Sequence, residues 1–262
     1  MLAVYSLWRR ECVRFFRDRS RVFSSLGQPV LFWVLFAAAL RESSFVAGDL
    51  DLSETSYGEF FFVGAITMTV LFTSIFATIT VIEDRTAGFL QGVLTSPVPR
   101  AAIALGKIAG GSTIALTQAM LFLLLAPLAG LPLSVDSALS VAAALTLMSL
   151  ALTGLGYSLA WVMDSTAGYH GVMMLFLMPM WLLSGSMFPV QSAHPVLAAV
   201  MTANPLTYGV AATRYALYGV EAPEVQGLPG PAVSWGVLAL FALFTFALGT
   251  FVTCRRTVRD AT

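Results

Sequence analysis

Charged side chains are scarce in this chain. Of its 262 residues only 11% are Asp, Glu, Lys or Arg, whereas 58% are hydrophobic; a soluble globular protein carries about 25% charged residues. This shortage excludes an ordinary soluble domain. The composition instead predicts an all-α integral membrane protein, because helices satisfy their own backbone hydrogen bonds inside the bilayer.

Histidine and cysteine are also rare, which restricts the chemistry open to the chain. The histidines His170 and His194 and the cysteines Cys12 and Cys254 have no metal-ligand spacing. No Gly-x-x-x-x-Gly-Lys-Ser/Thr loop is present, so the chain does not hold a nucleotide in that way. We therefore predict no catalytic residues, no metal site and no cofactor bound by this chain.

Acidic residues are nearly absent from the long apolar runs, which disfavours two further classes. An ion-coupled secondary transporter would place acids or broken helices near the membrane midplane, and an intramembrane enzyme or haem protein would need clustered ligands there. His170 lies at the start of an apolar run, where an ionisable group is a functional candidate. A structural histidine satisfied by hydrogen bonds is the favoured interpretation.

Six apolar runs are long enough to cross about 30 Å of hydrocarbon, which takes about 20 residues. They cover 22–40, 60–82, 103–131, 138–163, 169–188 and 233–253. The first is the least regular, because Gly27, Gln28 and Pro29 interrupt it. The predicted organisation is an N-terminal amphipathic interfacial helix at 1–21, a six-span transmembrane domain at 22–253 and a tail at 254–262.

The basic residues are distributed unevenly between the two sides that six spans define. Twelve of the 14 fall before residue 22, between 82 and 107, or after 253. Because short cytoplasmic loops are enriched in Lys and Arg, both termini are predicted to be cytoplasmic in a multi-pass protein of the cell (inner or plasma) membrane. The opposite side holds Arg41, Arg214, Glu42, Asp49, Asp51, Glu54, Glu59, Asp136, Glu221 and Glu224.

Six arginines alternate with apolar side chains at the N-terminus. This pattern predicts a basic amphipathic helix lying on an anionic leaflet. A nucleic-acid-binding arm is disfavoured, because an apolar run follows at once. The arginines are Arg9, Arg10, Arg14, Arg17, Arg19 and Arg21.

The stretch 82–107 is a charged and proline-broken interlude between two apolar runs. Glu83 and Asp84 are predicted to begin a short helix, where the macrodipole favours negative charge, and Pro97 is predicted to end it. The apolar residues Phe89, Leu90, Val93 and Leu94 would share one side of that helix. Periodicity alone leaves two interpretations open, an interfacial connector resting on head groups or a docking helix for a soluble partner.

The segment 189–231 is apolar in pieces too short to span. Asn204-Pro205 separates 196–200 from 210–218, which fits a re-entrant or interfacial helical hairpin. Irregular backbone at membrane depth must be buried in protein or line a wet cavity, so this hairpin is expected to pack on the bundle.

Two sets of residues bear on packing within the bundle, namely the glycines and the Met and Phe side chains of the fifth apolar run. Gly106, Gly110, Gly111, Gly154 and Gly156 would let helices approach closely, and packing within the chain is favoured over a dimer seam. The fifth apolar run is rich in Met and Phe, which adapt to varied apolar ligands, although core packing is the favoured role. Its residues of this kind are Met173, Met174, Met178, Met180, Met187, Phe176 and Phe188.

Two sets of residues carry a family resemblance. The first comprises Asp84, Arg85, Gly88, Phe89, Leu90, Leu94, Ser96, Pro97, Arg100, Gly106 and Lys107. The second comprises Pro179, Ser184, Gly185, Phe188, Pro189, Pro195, Asn204, Pro205, Leu206, Thr207, Tyr208 and Arg214. Together they resemble the cytoplasmic motif, and the fifth span with its external re-entrant segment, of the permease subunit of ABC-2 type transporters, a family that includes drug and polysaccharide exporters.

The match has two departures from the family pattern. Thr86 and Gln91 stand where acids are common, which puts the charge pairing of a docking helix with its partner in question. Phe89 stands where threonine is commoner, which favours the daunorubicin-type drug branch.

The resemblance implies an exporter of an amphiphilic drug, a lipid-like molecule or a glycan. A separate ATPase subunit in two copies would supply ATP and Mg²⁺, and a second permease subunit, identical or homologous, would complete the path. The segment 82–97 would be the coupling helix and the N-terminal helix would slide along the leaflet. The implied ATPase-coupling residues are Glu83, Asp84, Arg85, Gly88, Phe89, Leu90, Val93, Leu94, Pro97 and Arg100. The implied gate residues are Pro179, Ser184, Gly185, Phe188, Pro189, Asn204, Pro205, Thr207 and Tyr208, and the implied export path contains Phe72, Phe76, Met174 and Met178.

Overall fold

The computed structural model describes residues 1–39, 57–131, 133–190 and 193–255, and within these ranges it contains helices and no strand. The predicted all-α class is therefore confirmed. The α-helices are α1 Leu2–Arg17, α2 Arg19–Ala39, α3 Tyr57–Ala77, α4 Ile79–Thr86, α5 Phe89–Leu94, α6 Arg100–Leu123, α7 Val135–Val162, α8 Thr166–Trp181, α9 Pro195–Ala203, α10 Pro205–Tyr218 and α11 Pro231–Arg255. Several residues used to predict orientation lie outside these ranges, namely Arg41, Glu42, Asp49, Asp51, Glu54, Arg256 and Arg259, as does most of the predicted tail.

Five helical segments of the described chain are long and apolar enough to cross a membrane. They are Arg19–Ala39, Tyr57–Thr86, Val135–Val162, Thr166–Ser186 and Pro231–Arg255, and they correspond to five of the six predicted spans. The bent pair α9 and α10 would make a sixth if it is counted as one span.

The third predicted span, 103–131, differs from the structure. Its helix α6 ends at Leu123 and a short 3₁₀ turn, Ala126–Ala129, follows. The 24 residues of α6 are long enough to span, but the helix is not among the five apolar candidates. Lys107, Gln118 and several Gly, Ser and Thr residues reduce its hydropathy, and most of these face neighbouring helices instead of lipid.

Helix α3 forms the centre of the bundle. In its most apolar window 83% of the residues are buried, compared with 11% in α2. Phe60, Phe61 and Phe62 are all buried, and α3 contacts α2, α6 and α7. Helix α2 therefore lies at the periphery, with most of its side chains exposed.

Glycines allow the closest helix contacts within the chain. A Cβ atom at Gly106 would lie 2.8 Å from the Leu7 Cβ, and one at Gly110 would lie 2.8 Å from the Glu11 Cβ. Gly111 meets Thr153 of α7, and Gly154 meets Thr245 of α11 in the same way. The predicted use of these glycines for packing within the chain is confirmed.

Side-chain contacts define two ends of the bundle. At the first, which we call the basic end, α1, the end of α4, the start of α6 and the end of α7 meet, and Arg85 donates to the Trp161 carbonyl oxygen at 2.6 Å. At the opposite end, the Tyr218 hydroxyl donates to the Glu59 carbonyl oxygen at 2.7 Å, which joins α10 to the start of α3.

The fifth predicted span is broken before its predicted end. Helix α8 ends at Trp181 and a π-helical segment, Leu182–Ser186, follows. Leu183 has non-helical dihedral angles, and Gly185 has φ of +78°, which glycine adopts without the Cβ clash of other residues. The next two helices, α9 and α10, meet at 84°, so the predicted hairpin is closer to a right-angled bend.

Candidate functional site

The predicted single helix at 82–97 is two helices. Glu83 and Asp84 lie near the C-terminal end of α4, not at a helix start, so the predicted macrodipole contact was wrong. Gly88, with φ of +74°, joins α4 to α5, which covers only Phe89–Leu94. A left-handed residue at this position stops one helix and starts the next.

The acids of α4 are instead neutralised by side chains of two other helices. Asp84 accepts two hydrogen bonds of 2.7 Å from the Arg10 guanidinium and also contacts the Lys107 ammonium group. Lys107 in turn donates to Glu11 at 2.7 Å, and Arg14 pairs with both Glu83 and Asp84. We call these six residues, Arg10, Glu11, Arg14, Glu83, Asp84 and Lys107, the charged cluster.

The charged cluster has a buried centre, a partly exposed rim of Arg10, Arg14 and Glu83, and balanced charge. The side chains of Glu11, Asp84 and Lys107 are 4%, 3% and 3% exposed, and three cations face three carboxylates. The Asp84 carboxylate, which accepts hydrogen bonds from Arg10, raises the pKa of Arg10 above its ordinary value. Removing one partner of such a pair costs about 3–5 kcal/mol, because the other charge stays buried. The cluster therefore fastens α1, α4 and α6 together.

Sequence reasoning missed Glu11 and its role. Leu7, Glu11 and Phe15 recur at intervals of four and form the buried stripe of α1, so an acid on the apolar face was the available signal. The Trp8 Nε1 also donates to the Thr113 Oγ1 at 3.0 Å. Helix α1 thus packs on α6 with Arg10 and Arg14 turned inward, while Arg9, Arg17 and Arg19 remain exposed.

Arg85 connects α4 to the end of α7. Its guanidinium donates to the carbonyl oxygens of Trp161 and Met163 and to the Asp164 carboxylate at 2.9 Å. The carbonyls at a helix C-terminus lack hydrogen-bond donors within the helix. Arg85 provides donors to two of them here. The Asp164 side chain is 87% exposed, so this ion pair is open to solvent on the Asp164 side.

The apolar side of α5 faces the protein. Leu90 is buried, and Val93 and Leu94 pack half-buried against the core. Of the four apolar residues predicted to meet a partner, Leu90 is thus covered by its own chain. Phe89, 37% exposed, lies under the Arg10 guanidinium at 3.8 Å. The accessible residues of this segment are Gly88, Phe89, Gln91, Gly92, Thr95 and Pro97, while Arg100 begins α6 and is half-buried.

At the opposite end, side chains of α10 and its cap bind the carbonyls released where α8 breaks. The Asn204 Nδ2 donates to the carbonyl oxygens of Met180 and Leu183 at 2.6 and 3.0 Å. Its Oδ1 accepts from the Leu206 amide and so caps α10. Asn204 thereby joins two helices through one side chain, which explains why asparagine suits this position before Pro205.

Arg214 completes this arrangement from the next turns of α10. It is 1% exposed, donates to the carbonyl oxygens of Gly185 and Glu224 at 2.9 and 3.3 Å, and lies 3.9 Å from the centroid of the Phe60 ring. We call Asn204, Arg214 and Gly185 the carbonyl node.

The remaining predicted gate residues surround the carbonyl node unequally. The hydroxyls of Ser184 and Thr207 donate to the carbonyl oxygens of Trp181 and Met201, each at 2.6 Å. Pro189 is buried, Pro205 and Tyr208 are half-buried, and Pro179 and Phe188 are exposed. The structure therefore brings Ser184 and Thr207 into the packed break, and leaves Pro179 and Phe188 at the surface.

Two of the four predicted path residues share a cavity. Phe72 and Phe76 have ring centroids 5.7 Å apart and line a cavity of about 250 Å³ between α2, α3 and α8. Met174 and Met178 do not line it, and Met174 is 45% exposed. His170 is exposed, also lines this cavity 4.9 Å from the Phe76 ring, and makes no hydrogen bond within the described residues.

Comparison with known proteins agrees with this architecture. The sequence pattern of the ABC-2 type transporter family matches residues 3–218. A protein of Porphyra purpurea named "Putative transport permease ycf38" is 23% identical over 95% of this chain and 86% of its own length. Proteins of the same name from Pyropia yezoensis and Cyanophora paradoxa are 25% and 24% identical, over 90% and 81% of this chain and 78% and 73% of their own lengths.

Proposed function

Because this chain belongs to the ABC-2 type transporter family, we propose that it is the membrane-spanning permease subunit of an exporter driven by ATP hydrolysis in a separate ATPase subunit. Membership of the family makes the chain a transport permease. The ATPase partner, the outward direction and the pairing of two permease copies are parts of the proposal. ATP and Mg²⁺ would be bound by the partner.

The observation that carries the proposal is the exposed side of α5. This helix is the short element held between Gly88 and Pro97 at the basic end, and its apolar side is already packed on its own chain. The accessible side, Gln91, Gly92 and Thr95, bears no charge, so a partner groove would meet small polar groups and backbone. We place this end in the cytoplasm, in accordance with the enrichment of basic residues there.

The charged cluster supports a mechanical role for this segment. Arg10 contacts Phe89 of the exposed segment and Asp84 of α4 at the same time. A partner that displaces α5 would therefore move α1 and the base of α6 with it. We propose that closure of the ATPase pair is transmitted to the spans through these contacts.

The second permease copy would lie against the apolar surfaces that this chain leaves exposed. Leu175 and Phe176 of α8 are 70% and 65% exposed. Either lipid or a second copy covers such a surface, and the family context favours a pair. The proposed substrates remain an amphiphilic or lipid-like molecule or a glycan, with the drug-type branch favoured by Phe89.

The test is co-purification of the tagged chain in mild detergent, with ATP hydrolysis measured in the eluate. Gln91→Arg and Thr95→Arg place bulky charge on the accessible side of α5 and should abolish recovery of the ATPase. Thr202→Arg, an exposed position at the opposite end, is the matched control and should retain it. The proposal fails if chemical crosslinking of wild-type membranes also yields no ATPase, or if all three variants recover it equally.

A further inference from the structure

The cavity between α2, α3 and α8 combines an apolar wall with polar side chains. Met68, Phe72 and Phe76 of α3 and Pro29 of α2 supply apolar surface. The polar lining residues are Arg21, Ser24, Ser25, Gln28, Thr73 and His170. A pocket with a few convergent polar groups in an apolar frame is typical of a site for a small molecule.

Three of these polar side chains have unused hydrogen-bonding capacity. Gln28, Thr73 and His170 make no side-chain hydrogen bond with any residue in the described ranges. Thr73 is only 5% exposed, and a buried hydroxyl without a partner costs about 1–3 kcal/mol. Nearby in α3, the hydroxyls of Thr67 and Thr69 donate to carbonyl oxygens four residues earlier, at 2.7 and 3.0 Å. Within the described part of α3, Thr73 and Ser74 are the hydroxyls without a partner, and of these two only Thr73 lines the cavity.

Arg21 differs from its neighbours in the charged cluster. Its guanidinium approaches Asp18 and Glu83 at 3.9 and 4.0 Å, the outer limit of an ion pair. Arg10 instead makes two hydrogen bonds of 2.7 Å to one carboxylate. The Arg21 side chain therefore retains donors that can bind an anion at the mouth of the cavity.

We propose that this cavity binds the acidic oxyanion head group, a phosphate or carboxylate, of an amphiphile that the permease exports. This inference rests on the proposed exporter function and names its substrate class. Arg21, Gln28 and His170 would donate to the oxyanion, and guanidinium groups match phosphate and carboxylate geometry well. The Thr73 hydroxyl would add a further, uncharged donor. Leu31 and Leu35 lie three and seven positions after Gln28, on the same side of α2, and both are 56% exposed. An alkyl tail would lie along this side.

The test measures equilibrium binding of radiolabelled dodecyl phosphate to the full chain in phosphatidylcholine nanodiscs. Saturable binding is expected, and inorganic phosphate and dodecanol should each compete at least about 10-fold more weakly, because each supplies half of the ligand. Arg21→Gln should weaken binding about 10-fold or more, the loss expected for a charged hydrogen bond. Thr73→Val, which keeps the shape of the side chain, should weaken it by a smaller factor.

The matched control is Arg19→Gln, which removes an exposed arginine at the same end that does not line the cavity. It should change dodecyl phosphate binding less than about twofold. Equal effects of Arg19→Gln and Arg21→Gln would overturn the proposal in favour of diffuse surface attraction. Full competition by phosphatidylglycerol in the nanodisc would overturn it in favour of a resident lipid.

Failure of this inference and failure of the proposed function are separable with the co-purified ATPase. If ATP hydrolysis depends on the chain but dodecyl phosphate stimulates wild type and Arg21→Gln equally, the head-group site is wrong and the exporter stands. If dodecyl phosphate binding depends on Arg21 but no ATPase is recovered or crosslinked, the exporter assignment is wrong and the site is not one for a transported substrate.

Discussion

The charged cluster at the basic end and the carbonyl node at the opposite end hold their cations in different ways. In the charged cluster, Arg10, Arg14 and Lys107 face carboxylates of α1 and α4. In the carbonyl node, Arg214 donates to backbone carbonyl oxygens of the broken end of α8 and of the segment before α11, and rests on Phe60. The charged cluster joins helices through pairs of opposite charges. The carbonyl node joins them through one cation that binds the dipoles of backbone carbonyl groups.

This difference predicts how each end responds to the loss of one group. Removing Asp84 from the charged cluster leaves the buried Lys107 and two partly exposed guanidinium groups with one counter-charge fewer. An arginine removed from the carbonyl node takes the only cation of the node with it and leaves the Gly185 carbonyl oxygen without its donor. The cluster should therefore be the more fragile of the two, and the more responsive to a movement of its parts.

The largest effect is expected for Asp84→Ala. This change leaves the buried Lys107 and the two guanidinium groups short of a partner, and it should reduce the free energy of unfolding by about 3–5 kcal/mol. The measurement is thermal unfolding of the detergent-purified chain by tryptophan fluorescence. Asp164→Ala removes an exposed carboxylate of the same type and should cost less than about 1 kcal/mol; equal losses would contradict a special role for the cluster.

Arg214→Leu should cost about 1–3 kcal/mol, because it leaves the buried Gly185 carbonyl oxygen without the hydrogen bond that Arg214 donates to it. Limited proteolysis of the segment 182–190 in the purified variant reports whether the break in α8 loosens. Thr202→Leu, on the exposed side of α9, is the control and should leave the cleavage pattern unchanged. A loss larger than that of Asp84→Ala would reverse the comparison of the two ends.

Gly110→Ala should cost about 1–3 kcal/mol, as overpacking does elsewhere, because its Cβ would come within 2.8 Å of Glu11 and push α1 from α6. Gly27→Ala, where nothing lies within 4 Å, should be neutral or stabilising by up to about 1 kcal/mol. Thermal unfolding of both variants compares them directly. Similar behaviour would show that α1 does not depend on close contact with α6.

The smallest effect on stability, below about 0.5 kcal/mol, is expected for Gln91→Arg on the exposed side of α5. The same change should remove the ATPase from the co-purified complex. Leu90→Arg, on the buried side, should destabilise the chain instead, since it buries an unpaired charge. Together the two variants, measured by unfolding and by co-purification, show which side of α5 meets a partner.

The predictions from sequence succeeded where the signal is carried by neighbouring residues. Five of the six predicted spans are apolar helices of spanning length, and the close contacts at Gly106 and Gly110 lie within the chain as expected. The remaining predicted span, 103–131, contains α6, which is less apolar than the other five. Its residues Lys107 and Gln118 are buried by other helices and therefore need not be apolar.

The candidate site was predicted less well, because its parts come from distant segments. Asp84 was selected for its place in a motif, but its partners Arg10 and Lys107 are 74 and 23 residues away. Glu11 was overlooked because the six arginines dominate the charge of this segment. The inward side of α5 was assigned to a partner because amphipathic periodicity shows that one side is apolar without showing what covers it.

The sequence by itself determined the membrane class, the position of most spans, the uneven distribution of basic residues and the family. These depend on sums over about 20 neighbouring residues or on short motifs. Only the tertiary structure decided which charges meet in the charged cluster, which carbonyls Asn204 and Arg214 receive, and which side of α5 remains accessible. These depend on how the helices are rotated and spaced relative to one another. Packing at the glycines and at the helix breaks sets that arrangement, and the local sequence does not encode it.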